Sequence, residues 1–244
     1  MKIGTVIQAR MGSERLPGKS LMKVGGKPLV QHIIENQKKS KHLSHIILAT
    51  TEREMDKPLL ELAEKLEVCG FAGSENDVLC RYKDAAKAFD LDIVIRVTGD
   101  NILVDVNGMD QTIFLYLQEK PDLASNKGEQ GYPGGTGAAV FSAKLLEKLD
   151  KITNDPDDRE HVTLHVYRHP ENFHISYLKA PEAYRNLDIR LSVDTIEDLT
   201  LIRELYRKLK ERGDDFNLAS VVKYVKECPE IKKINSHIKQ KRFY

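Results

Sequence analysis

The chain opens on a short apolar run, Ile3 to Ala9, and then turns polar: Arg10 to Gly26 is rich in Gly, Arg and Lys. Pro28 sits where a first helical turn accepts it, and Leu29, Ile33 and Ile34 follow at helical spacing. Ile46-Ile47-Leu48-Ala49 reads as a second short strand. Met55, Leu59, Leu62, Ala63 and Leu66 mark a second helix, and Val68 to Phe71 a third strand. A further helix from about Val78 to Phe89 leads into Ile93 to Val97, the cleanest strand pattern in the chain. Strands alternating with helices of this length predict an α/β fold with a mainly parallel sheet covered on both faces.

The second half changes character. Asn126 to Gly137 holds five glycines and Pro133, which predicts a loop or an irregular hairpin, part of an excursion over about residues 125–142. Val140-Phe141 returns as strand, with Ser142 placed to cap the helix that follows. Arg159 to Arg168 predicts one helix, stopped at His169 because a proline disfavours helix in the residue before it. Phe173 to Leu178 and Leu187 to Val193 read as two more strands. Thr195-Ile196-Glu197-Asp198 is a helix-start pattern, with Ile196, Leu199, Ile202, Leu205 and Leu209 on the buried face. A last helix runs from about Leu218 to Glu227. With no internal repeat and no low-complexity linker, residues 1–227 read as one domain. The Lys-rich tail 228–244 is either docked on the fold or loosely ordered, and the pattern leaves both open.

Charge narrows the partners. Lys and Arg number 38 against 37 Asp and Glu, a formal +1, so no global field draws the chain to nucleic acid or to a membrane surface. No apolar run approaches the roughly 20 residues that span a bilayer. The first twenty residues lack a long apolar stretch ahead of their arginines, so no signal peptide is expected. Cys69, Cys80 and Cys228 are widely spaced and odd in number, which excludes a CxxC metal knuckle and predicts free thiols. A cytoplasmic protein is the expectation.

Three clusters carry chemistry. Gln8 to Lys19 follows the first strand directly, at the carboxyl edge where α/β sheets bind ligands. Gly12 and Gly18 permit close backbone approach, while Arg10, Arg15 and Lys19 set three cations on one loop, the combination a triphosphate needs. It is not a Walker A loop: Gly18-Lys19-Ser20 imitates the end of one, but Ser13 stands where its first glycine belongs. Asp100 ends the strand Ile93 to Val97 through Thr98-Gly99, and Asp194 ends Leu191 to Val193 in the same way. Two carboxylates beside a polyphosphate make a Mg²⁺ site, since Mg²⁺ takes few protein oxygens and completes its shell with phosphate and water. Asp194 also reads as a helix N-cap, and that alternative stays open. In the third cluster His161, His165 and His169 recur every four residues and imitate a metal stripe, but without an HExxH pattern. Arg159 and His161 read better as holders of an anionic or hydroxylated acceptor.

Taken together, these residues resemble the cytidylyltransferase family that makes CMP-activated sugars, which includes the sialic-acid and 3-deoxy-manno-octulosonate cytidylyltransferases. The closest likeness is to its spore-coat polysaccharide branch. The likeness runs through ordered motifs at Ile7 to Lys19, Ala49 to Thr51, Gly73 to Tyr82, Val94 to Asp100, Asp158 to Thr163 and Val193 to Leu199. It implies a Rossmann-like three-layer αβα sandwich of the nucleotide-diphospho-sugar transferase type, and a homodimer in which the hairpin-like excursion reaches the partner. It places Arg10, Gly12, Ser13, Arg15 and Lys19 on a CTP triphosphate loop, Ala9 and Arg81 at the base, and Asp100 and Asp194 on Mg²⁺. Arg159 and His161 fall in the half that takes a sugar or sugar-acid acceptor. Lys19, Arg10 and Asp100 would do the catalytic work: an acceptor oxygen attacks the α-phosphorus and pyrophosphate leaves. Transfer to a phosphate monoester, giving a CDP-linked product, and a nucleotide-binding protein without turnover are the alternatives. Two departures stand out. Thr98 stands where the sialic-acid and octulosonate enzymes carry a base-recognising Gln, and Gly135-Thr-Gly-Ala-Ala-Val-Phe141 replaces the branch's Gly-Leu-Asp-Val-Glu-Val-Phe.

Overall fold

The computed structural model describes residues 1–128, 130–185 and 187–238. The apolar opening forms β1 (Ile3–Gln8), and a small ribbon of β2 (Lys23–Val24) and β3 (Lys27–Pro28) leads into α1 (Leu29–Gln37). There follow β4 (His45–Thr51), α2 (Lys57–Lys65), β5 (Cys69–Gly73), α3 (Val78–Ala88) and β6 (Ile93–Thr98). These lie within one to three residues of the expected positions. The order across the main sheet is β5-β4-β1-β6, all parallel, continued by three more strands. From β1 the chain moves to one side through β4 and β5, and α3 then carries it back past β1 to β6. Such a reversal opens a crevice at the carboxyl ends of β1 and β6.

Residues 101–125, for which the pattern yields no element, hold α4 (Val106–Glu119) and β7 (Leu123–Ser125). Gly108 in the first turn and Phe114, 50% exposed, blur the apolar stripe of α4. Its N-cap is plain in the structure: the Asp105 carboxylate accepts from the Gly108 N–H. β8 (Ala139–Ser142) pairs antiparallel with both β6 and β7, and β9 (Ile175–Tyr177) adds in parallel at the far edge. Ser142 caps α5 (Ala143–Ile152) as expected, accepting from the Leu145 N–H.

Strand alternation divides the core in two. On β6, Ile93, Ile95 and Val97 pack with α1, α4, and two later helices, α8 (Ile196–Arg212) and α9 (Leu218–Glu227). Val94 faces the other way, into the layer of α3 and α5. This is a three-layer αβα sandwich. Thr195 closes a capping box on α8 with Asp198, so the cap is Thr195 and Asp194 is left for other contacts.

Two expectations are corrected. Leu187 to Val193 is not a strand: its only bridge among the described residues joins Arg190 to Gly134 of the glycine-rich loop. A Cβ on Gly135, whose φ is +87°, would lie 2.2 Å from the Ser192 nitrogen, so the two segments meet as bare backbone without the registry a ladder needs. Arg159 to Arg168 is not one helix but two, α6 (Pro156–His161) and α7 (Leu164–Arg168). Between them Val162 takes φ 57° and ψ −59°, and the Thr163 N–H donates to the His161 carbonyl at 2.6 Å. That is the strained, positive-φ form of a γ-turn, at a fully buried β-branched residue. The start of the tail is docked: a 3₁₀ turn over Pro229–Ile234 packs on α8 and α9, while residues 239–244 lie outside the described residues. Cys69, Cys80 and Cys228 are free and half-buried, and no helix among the described residues is long and apolar enough to cross a membrane.

Candidate active site

The loop after β1 is held from below. The buried Asp56 carboxylate accepts from the Met11 N–H at 2.6 Å, and the Ser20 hydroxyl donates to the Arg10 carbonyl at 3.2 Å. Beside it, the chain leaving β6 crosses directly over the end of β1, where the Gly99 N–H donates to the Gln8 carbonyl at 2.8 Å. A Cβ on Gly99 would lie 2.6 Å from that same oxygen, so only glycine permits the crossing that delivers Asp100 to the cleft.

The charges then interlock. The Lys19 ammonium lies between the two expected carboxylates, 2.9 Å from Asp194 and 3.4 Å from Asp100, and also donates to the Val193 carbonyl. Arg15 reaches Asp194 at 3.2 Å, and Arg190 closes on its other oxygen. Burial works to raise the Asp194 carboxyl, but Lys19 first, with Arg15 and Arg190, outweighs it and holds the group below the usual carboxylate range. Thr98 donates its hydroxyl to Asp100 at 2.5 Å, so its side chain orients that carboxylate. Two carboxylates bracketing one cation, open to a cleft, suit a divalent ion that takes its remaining ligands from phosphate and water. No cluster of three or more His, Cys, Asp or Glu stands ready for a metal among the described residues.

A cleft of about 510 Å³ is lined by Ala9, Arg10, Ser13, Arg15, Lys19, Arg81, Thr98, Asp100, His161 and Asp194. The structure therefore gathers most of the sequence-derived site from five separate stretches of chain. Arg81 is buried, and its guanidinium donates to the Ser74 and Glu75 carbonyls, bracing the turn before α3 against the cleft wall. Gly12 stands in the same loop but off the lining. Arg159 is not brought in: its guanidinium is held by Asp77 at 2.5 Å and Asp150 at 2.7 Å, where it ties α6 to α3 and α5. The histidines also part company. His165 pairs with Asp158 at 2.7 Å and His169 with Glu171 at 3.2 Å, whereas the turn at Val162 leaves His161 on the cleft. Burial, then Arg96, lowers the His161 imidazole and favours its neutral form.

A larger cavity of about 1290 Å³ adjoins the cleft and shares Arg96, Asp100, His161, Arg190 and Asp194 with it. Sequence reasoning missed three cations here. Arg96 points off β6 on the same face as Val94, and a lone arginine at an inward position of an apolar strand was the signal; its Nε is buried with no hydrogen-bond partner among the described residues. Lys127, from the glycine-rich loop, reaches the cavity half-buried. Burial first and Arg96 second push its ammonium down to about 8, against the opposing pull of Asp100. Arg190 lies between the two cavities, bonded to both Asp194 and Asp198. Tyr132, Tyr167 and Tyr177 supply aromatic surface on the remaining sides.

Comparison with known proteins accords with this geometry. Residues 5–239 match the model of a family described as cytidylyltransferase. An uncharacterised protein of Methanocaldococcus jannaschii is 38% identical over 100% of this chain and 98% of its own length. The spore coat polysaccharide biosynthesis protein SpsF of Bacillus subtilis is 35% identical, over 86% of this chain and 88% of its own. The solved structure of a cytidylyltransferase from Leptospira borgpetersenii superposes with a TM-score of 0.88 at 33% identity, covering 99% of this chain and 100% of that one. A matching fold, a basic loop facing two carboxylates at the sheet's switch point, and near full-length likeness lead to one conclusion: the chain belongs to the cytidylyltransferase family, a family of nucleotidyltransferases.

Proposed function

We propose that this protein transfers CMP from CTP to an acidic sugar acceptor, with Mg²⁺ as cofactor and release of pyrophosphate, in the making of a glycan or polysaccharide. The observation that carries the reading is the position of Lys19, whose ammonium stands between Asp100 and Asp194 at the mouth of the basic loop. A hydroxyl oxygen of the acceptor bonds to the α-phosphorus as the bond to the bridging oxygen of the β-phosphate breaks, and the hydroxyl proton passes to solvent. Arg10, Arg15 and Lys19 face the charge that builds on the departing pyrophosphate. Mg²⁺, held by Asp100 and Asp194, would screen the phosphate oxygens against the incoming one. No protein nucleophile is required, because positioning and fixed charge suffice for this chemistry.

The larger cavity supports an acceptor that carries an acid. Arg96 and Lys127 are two half-buried cations facing one space with no carboxylate bonded to either among the described residues. Although Asp100, Asp188 and Asp194 also line that space, unpaired cations away from water favour an anion. Catalysis is tested by pyrophosphate release with each of CTP, UTP, ATP and GTP plus Mg²⁺, against a panel of keto-sugar acids, sugar phosphates and neutral sugars. Release with CTP and a keto-sugar acid, with a CMP-sugar mass in the product, is the expected outcome. A CDP-linked product would move the acceptor to a phosphate monoester. Release with a neutral sugar alone, or none with any pair, would overturn the reading.

A further inference from the structure

Beyond α9 the chain has a small hydrophobic anchor on the body of the protein, with Ile231 in the core and Ile234 packed against it. Among residues 229–238 only Ile231 and Asn235 are buried, and the other side chains are exposed or half-buried. The segment docks there, and its buried polar group is aimed at the site. The Asn235 side-chain amide donates to the Arg190 carbonyl at 3.0 Å and to Asp198 Oδ1 at 2.8 Å. Asp198 in turn accepts from the guanidinium of Arg190 and from the backbone N–H of Asp194 and Thr195, and Arg190 reaches on to the Asp194 carboxylate. A buried amide satisfied in this way fixes one seat for the segment. From that seat Lys232, Ser236 and Ile238 line the larger cavity, across from the glycine-rich loop.

We infer that residues 229–238 form a wall of the acceptor site and that Asn235 is a positioning residue, seating that wall against Arg190 and Asp198. The inference rests on the proposed function for the word acceptor, but its test does not depend on turnover. The wall takes the part of an acidic sugar that lies away from the attacking hydroxyl, with Lys232 adding an ammonium to the cationic lining.

The chain contains no tryptophan, so Ser236→Trp places a unique fluorophore at an exposed position on that wall. Emission is followed during titration with CTP and Mg²⁺, 3-deoxy-manno-octulosonate, N-acetylneuraminate and glucose 1-phosphate, each alone and then with CTP present. A saturable change with at least one of the three acceptors, and none with CTP alone, is expected. No change with any acceptor, or a change that follows CTP alone, would overturn the inference. Asn235→Ala in the same background should raise the half-saturating acceptor concentration about tenfold while CTP affinity, measured by titration calorimetry, stays within about twofold. Equal weakening of both, as general loosening of the fold would produce, counts against a positioning role. A protein that gives the acceptor signal but releases no pyrophosphate retires the proposed function and leaves the wall standing.

Discussion

The two sides of the site are built on different plans. On the nucleotide side, Ala9, Thr98 and Asp100 stand at or just beyond the ends of parallel strands in register, with Gln8 opposite Thr98. On the acceptor side most of the lining comes from the 127–137 loop, the 188–192 segment and the stretch after α9, with Arg96 of β6 and Tyr177 of β9 contributing from the sheet. The three segments are held to one another by bare backbone at Gly135 and by the buried Asn235 amide. A regular edge fixes positions by hydrogen-bond ladder and suits a ligand part that never changes, such as a triphosphate. An irregular wall assembled from distant segments can be reshaped one segment at a time, which suits a part that varies.

Four measurements test that division. Asp100→Asn should lower kcat with CTP by about 10³-fold while the unfolding midpoint hardly moves; near wild-type turnover would break the role of the strand-end carboxylate. Arg190→Met strips a shared cation from the buried Asp198 carboxylate and the half-buried Asp194 carboxylate and should cost about 3–5 kcal/mol in urea unfolding. A loss under about 1 kcal/mol would mean that the two sides are not coupled through Arg190. Lys127→Met should raise the acceptor KM by about 10- to 100-fold and leave the KM for CTP alone. Because an anion needs the charged amine and Lys127 is pushed down to about 8, wild-type acceptor affinity should be full below that pH and fall as pH rises through it. The dependence should be flattened in Lys127→Met, and a pH profile shared by both proteins would remove Lys127 from the acceptor subsite. Smallest in function, Arg159→Ala should change neither KM beyond about twofold, yet cost about 1.5–3 kcal/mol of stability through lost bonds to Asp77 and Asp150. A selective rise in acceptor KM there would return Arg159 to the site.

The same division governs how much could be read from the sequence. Strand periodicity placed β1 and β6, and with them the loop of Arg10, Arg15 and Lys19 and the approach to Asp100. Asp194 carried a weaker signal, since an acid before Thr195 serves equally as a cap; the capping box of Thr195 and Asp198 resolves it. Arg159 misled because Asp158 to Thr163 is contiguous in sequence while the helix turns it away from its neighbour His161. Lys127 and Asn235 leave no local mark at all. What makes them matter is the company of residues far off in sequence, Arg96 for Lys127 and Arg190 and Asp198 for Asn235, and periodicity does not report that.

Gly99 and Gly12 stand beside the same cleft, yet a mutational screen would treat them as opposite controls. Alanine at 99 collides with the Gln8 carbonyl, so its rejection would be the protein's own. Alanine at 12 meets nothing nearer than an Arg53 nitrogen at 4.0 Å, so the empty protein should accept it and fold as before. If a library selected for activity nevertheless loses every variant at position 12, the missing atoms that forbid it belong to the ligand. A single glycine would then measure, by selection alone, how closely the nucleotide passes over the loop.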